Sequence, residues 1–230
     1  MVKFPLVKAF PESIARKWLD VISDIGEVGL DSFISNGVLK DIPMISTAIS
    51  LFQMGVSVRD KHYVRKLEQF IYEINIGIED ETKRREYIEK FNHDEKTREQ
   101  ELEYLLVVLD RYVGLDKSRF LARIFLAYLD KKISWKKVCQ YAEVLDRFLP
   151  GDYEVLSSSN TYRTEKDENT DVLQRLIALG LVIEDIRKSK AISEGGTITI
   201  DPPAIMEQKE RLYTRIEFGD VLVQIIGENK

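Results

Sequence analysis

The sequence predicts a mainly α protein: a helical bundle over residues 1–150, then a small α+β domain over residues 151–230. Three observations predict it. Apolar residues recur at spacings of three and four from Glu12 to about Leu149, as in amphipathic helices packed on one core. Pro150-Gly151 breaks that pattern, and short runs of strand character follow. At 230 residues and 44% hydrophobic, the chain suits one large domain or one domain plus a small appendage. A chain of this size buries roughly 70–75% of its unfolded surface, so it needs no covalent staples.

Ile14, Trp18, Val21, Ile22 and Ile25 form the first stripe, with Pro11 and Glu12 suited to its first turn. Asn36-Gly37 signals a turn. Pro43 can open the next helix, because a first-turn proline has no donor to lose. Tyr63, Leu67, Phe70, Ile71 and Ile74 make another stripe, ended by Gly77. Glu79–Glu103 holds ten acidic and six basic residues and reads as a solvated helix, a turn near Asn92-His93-Asp94, and a second helix start. Leu102, Leu105, Leu106 and Leu109 turn inward up to Gly114, and Phe120, Leu121, Ile124, Phe125 and Tyr128 form the next buried face. Ser134 is a candidate N-cap for a helix carrying Trp135, Val138, Tyr141, Val144, Leu145 and Phe148.

Beyond Gly151 a short helix is expected over Asp152–Leu156, then a polar fourteen-residue stretch, SSSNTYRTEKDENT, read as an exposed mobile loop. Asp171–Gly180 is a short helix with a glycine stop. Leu181-Val-Ile reads as a strand, Gly195-Gly196 as a turn, and Thr197–Ile200 and Tyr213–Phe218 as further strands. Gly219-Asp220 opens a last helix, Val221–Ile226.

Ile42–Val58 contains seventeen residues and no charge, between Asp41 and Arg59-Asp60. As one helix it would carry a seam of Ile42, Ile45, Ile49, Phe52 and Val56, and a second apolar face of Met44, Leu51 and Val58. Ser46, Ser50, Gln53 and Ser57 make a polar stripe between them. It reads first as a central core helix, whose small hydroxyls permit close helix approach. A conditional contact with a partner or a membrane is the other reading. A full span needs about twenty apolar residues, and this segment falls short of that.

Little in the sequence points to catalysis. One cysteine excludes a disulfide scaffold and any Cys-rich metal site. His62 and His93 have no recognisable partner motif, and Cys139 follows Val138 on an apolar face. No phosphate-binding glycine loop is present. We therefore expect no catalytic residue, no metal and no cofactor. The opening MVKFPLVKAFPES has no unbroken apolar stretch, so no signal peptide is expected, and unpaired Cys139 suits a reducing cytoplasm.

Leu173-x-x-Leu176-x-x-Leu179-Gly180-Leu181-Val182 and Tyr213-Thr214-x-x-x-Phe218-Gly219-x-x-Leu222 resemble the end of a winged-helix domain. Arg215 stands where that pattern expects an apolar residue. The resemblance implies a winged-helix-like C-terminal domain and a DNA-binding regulator as one functional reading. Gln174 and Arg175 on the helix, with Lys188 and Lys190 beyond it, are the candidate nucleic-acid contacts. The net charge of -5 weighs against duplex DNA, because a duplex binder neutralises several phosphates.

A second resemblance rests on Gly29-Leu-Asp-Ser32, Gly37-Val-Leu-Lys-Asp-Ile-Pro43, Gly55-x-Ser57-Val-Arg-Asp60, and Lys66-Leu67 with Phe70. This block resembles a family of small uncharacterised bacterial helical proteins, for which no catalytic residues are carried over. The layout of a helical body and a small mixed domain is loosely similar to abortive-infection proteins of the Abi-alpha type. That implies a non-enzymatic interaction or effector protein in anti-phage defence, with a protein partner or self-association. A membrane-perturbing effector acting through residues 42–58 is the remaining alternative.

Overall fold

The computed structural model describes residues 4–15, 18, 38–51, 57–78, 80–93, 95–164, 169–186 and 211–227. The protein is mainly helical, with a small three-stranded antiparallel sheet near the C-terminus. Its contacts divide it into two compact units, one ending at Arg147 and one over Phe148–Gly227.

The first unit begins with α1, Phe4–Ser13. The sequence expectation placed Pro11 in the first turn of a helix; it lies instead near the end of this one. Leu6, Val7, Phe10 and Ile14 are buried, so the apolar stripe starts earlier than expected. Val21, Ile22 and Ile25 lie outside the described residues. A 3-10 turn, Val38–Asp41, leads into α2, Pro43–Leu51, with proline first as expected. Next come α3, Val58–Gly77, and α4, Glu81–His93. They are followed by α5, Glu95–Arg111, α6, Leu115–Leu129, and α7, Trp135–Arg147.

The uncharged segment is not one helix. Ser57 has extended backbone, φ -65° and ψ 161°, and begins α3 with a capping box. Its Oγ accepts from the Asp60 N–H, and Asp60 Oδ2 accepts from the Ser57 N–H at 3.1 Å. Nor is α2 the centre of the bundle. It buries Met44, Ile45 and Ala48 against α1 and α3, and leaves Ile49 at its surface.

The centre is the pairing of α3 with α6. Tyr63, Leu67, Phe70, Ile71 and Ile74 face Phe120, Leu121, Ile124 and Phe125, all buried, as their spacings predict. Phe125 gathers Phe10, Phe91 and Phe70 at centroid distances of 6.1, 6.3 and 6.4 Å. Aromatic pairs in this range contribute beyond their buried area, by about 0.5–1.5 kcal/mol each.

The second unit comprises α8, Asp152–Ser158, β1, Thr161–Thr164, and α9, Thr170–Ala178. It continues with β2, Val182–Ile186, β3, Arg211–Arg215, and α10, Glu217–Gly227. The sheet order is β1-β3-β2, with Thr161 opposite Thr214 and Val182 opposite Arg215. The fourteen-residue stretch read as a loop thus contains a strand. Thr161 and Tyr162 are good strand formers. The Tyr162 hydroxyl also lies 2.6–2.8 Å from the carbonyls of Val155, Leu156 and Ser159. The expected turn at Gly195-Gly196 and strand at Thr197–Ile200 lie outside the described residues.

Gly180 ends α9 as expected. At φ 69° it is left-handed, its N–H donates to the Ile177 carbonyl, and the Leu181 N–H donates to Leu176. This is a Schellman turn, sealed by the buried pair Leu176 and Leu181.

Candidate functional site

Most buried polar groups of the first unit hold helices together. Arg84 lies in the stretch read as a solvated face, yet it is only 1% exposed. Its guanidinium donates to the Ile14 carbonyl at 2.6 Å, to Asn75 Oδ1 at 2.8 Å and to the Asn75 carbonyl at 3.1 Å. Asn75 Nδ2 donates to the Ser13 carbonyl, and Ser13 Oγ accepts from the Met44 N–H at 2.8 Å. Four helices therefore meet at the C-terminal end of α1, where a cation also suits the helix dipole. Burial lowers the Arg84 pKa and Glu81 partly opposes it. Lys66, 2% exposed, donates in the same way to the carbonyls of Asp110, in the last turn of α5, and Tyr112, just beyond it, at 2.8 and 2.7 Å. Glu73 pairs with Arg123.

The residues singled out from sequence separate. Ile42 and Ile45 are buried at 1% and 0%, whereas Ile49 is 38% exposed. Phe52 and Val56 lie outside the described residues. Leu51 and Val58, placed on the second face, are 37% and 86% exposed. Among the described residues, no helix is long and apolar enough to cross a membrane.

In the second unit Gln174 is exposed on α9, and Lys188 and Lys190 lie outside the described residues. Arg175 is held by a carboxylate: its Nε and a terminal nitrogen donate to Asp152 at 2.9 and 2.7 Å. Asp152 is fully buried and also accepts from the Leu149 N–H. This hydrogen bonding, with the nearby charge of Asp171, raises the Arg175 pKa. Arg175 therefore ties α9 to α8, and contacting a phosphate would mean giving up a bidentate pair. Arg215, the departure from the winged-helix pattern, donates to Asp220 Oδ1 and to the carbonyl of Leu156 at 2.6 and 2.7 Å.

His62 Nε2 lies 2.7 Å from the Val113 carbonyl, to which it donates, and His93 is exposed. Burial raises the Cys139 thiol pKa, against hydrogen bonds that lower it, which disfavours the reactive thiolate. Its neighbour Tyr104 is pushed up to about 12, chiefly by burial and then by Cys139 and Glu143. No group of three metal-ligating side chains occurs among the described residues.

A lysine-rich cleft was not anticipated. Lys83 and Lys90 from α4 approach Lys131 and Lys132, which follow α6, around Tyr87 and Asp130. The Tyr87 hydroxyl donates to Asp130 Oδ1, Lys83 lies 3.6 Å from the same oxygen, and Lys132 lies 4.0 Å from Oδ2. Lys90 Nζ donates to the Leu129 carbonyl at 3.4 Å and stands 5.3 Å from the Tyr87 ring centre. The sequence signal was the seven-residue spacing of Lys83 and Lys90, two helical turns on one face, hidden within a dense run of charge.

No protein-family model, curated protein or solved structure matches the chain.

Proposed function

We propose that the chain is a non-enzymatic interaction protein of bacterial anti-phage defence, contacting a protein partner or a second copy of itself. The observation that carries this is the exposure of Ile49, Leu51 and Val58, at 38%, 37% and 86%, on either side of residues 52–56. Apolar side chains held in water within an uncharged segment are without the burial that would stabilise them. A partner would restore it. The use of Arg84, Lys66, Glu73 and Asp152 to join helices supports a scaffold rather than a reaction centre. The defence role rests on the loose similarity of the layout, a helical body followed by a small mixed domain, to abortive-infection proteins of the Abi-alpha type.

The second unit fits this reading as a winged-helix-like module. Its sheet order β1-β3-β2, with α9 entering β2 through a glycine turn, supports that shape. The engagement of Arg175 by Asp152 favours a packing or protein-contact role over base reading.

Phage plating on cells expressing the chain tests the proposal. Wild type is expected to lower plaque counts, and Ile49→Asp to abolish that effect while circular dichroism stays unchanged. Protection that survives Ile49→Asp, or wild type that gives none, removes the reading.

A further inference from the structure

The cleft around Asp130 has a volume of about 350 Å³, within the range of roughly 300–1,000 Å³ that holds small ligands. Four lysines line it, Lys83, Lys90, Lys131 and Lys132, against two acidic residues, Glu86 and Asp130. The cleft thus has two more positive than negative charges in a chain whose net charge is -5. Asp130 does not stand apart from the cations, since Tyr87, Lys83 and Lys132 already surround it.

The backbone adds an independent observation. Lys131 has φ 62°, the only non-glycine residue with positive φ among those described. It sits just past the end of α6, where its N–H donates to Tyr128 and the Lys132 N–H donates to Ala127, both at 2.9 Å. Glycine suits this turn, and a side chain there is strained. A cation near a helix C-terminus is favourable, but any residue of the last turn can supply one. Strain retained beside three other lysines points to use of this side chain at this place.

Ammonium groups donate hydrogen bonds and accept none. The ligand must therefore be rich in acceptors and carry about two negative charges, as a phosphate does at neutral pH. We propose that the cleft binds the phosphate group of a small molecule, seated between Lys90, Lys131 and Lys132 with Tyr87 as its floor. This does not rest on the role in phage defence.

Calorimetric titration of the full chain with inorganic pyrophosphate, at low and physiological salt, tests it on three chains: wild type, Lys131→Gly and Lys136→Ala. Lys136 is an exposed lysine on α7 that does not line the cleft. Wild type is expected to bind one pyrophosphate saturably, and Lys136→Ala to bind it equally well. Lys131→Gly should bind about tenfold more weakly, as expected for a lost charge-assisted contact, while its melting temperature rises because the turn relaxes. That opposition separates a binding role from a structural one. Lack of saturation, equal weakening in both variants, or undiminished binding by Lys131→Gly would overturn the proposal. Tighter binding of a single-stranded oligonucleotide at equal phosphate concentration would also overturn it, in favour of nucleic acid.

Discussion

Glu68 gives the fold a pH dependence. It lies on α3 at 4% exposure, and its Oε2 has no hydrogen-bond partner among the described residues. Burial pushes its carboxyl from the ordinary 4.5 up to about 7, against the pull of Arg65 and Lys40. Between those values the native state holds a proton that the unfolded chain has lost. This contribution is absent below the lower value, erodes stability as pH rises towards 7, and is fully unfavourable above it. Glu68→Gln should therefore match wild type near pH 4 and melt higher at pH 8, by on the order of 2–4 °C for each kcal/mol recovered. Thermal unfolding at the two pH values checks this, and an equal difference at both would refute it. Neither Glu68 nor Arg84 was legible in the sequence as buried. A charged residue in a helical pattern reads as solvated, because its burial depends on groups distant in the chain. Arg84 reaches the Ile14 carbonyl seventy positions away.

The junction between α2 and α3 turns on Ser57 and Asp60, whose reciprocal capping stops the uncharged segment from continuing as one helix. Ser57→Ala should cost about 1 kcal/mol, the usual loss for a helix N-cap, without changing the urea dependence of unfolding. An unchanged urea midpoint would show that the box does not hold α3. Here the sequence carried the information, since Ser57-Val-Arg-Asp60 has the spacing of a capping box. Hydrophobicity drew the segment together and masked it. The stripes of α3, α6 and α7 were legible for the converse reason: each repeats over several turns, so one misplaced residue does not change the reading. Strand β1 was not legible. Its stabilising contacts are its pairing with β3, fifty residues on, and the carbonyls around the Tyr162 hydroxyl, and a polar four-residue run announces neither.

Each of the two compact units has its own buried set, one around Phe70 and Phe125 and one around Leu176, Leu181 and Tyr213. In the second, the motifs read as Leu-Gly-Leu and Phe-Gly meet physically. The Ile216 N–H donates to the Leu181 carbonyl, and the same oxygen crowds Gly219. A Cβ at Gly219 would lie 2.5 Å from that oxygen and 2.8 Å from Arg215 Cγ, closer than real contacts allow. The backbone carbonyl is fixed by its own hydrogen bond, so α10 itself must shift. Gly219→Ala should therefore cost about 1–3 kcal/mol, the range for forcing extra atoms into a packed site. The loss should appear where the atoms are crowded. Hydrogen exchange followed by mass spectrometry is expected to quicken in α9, β2, β3 and α10 and to stay unchanged in α3 and α6, whose packing does not involve this glycine. Exchange that rises equally in α3 and α6 would mean that the two cores open as one cooperative body. That would contradict a molecule built from two cores.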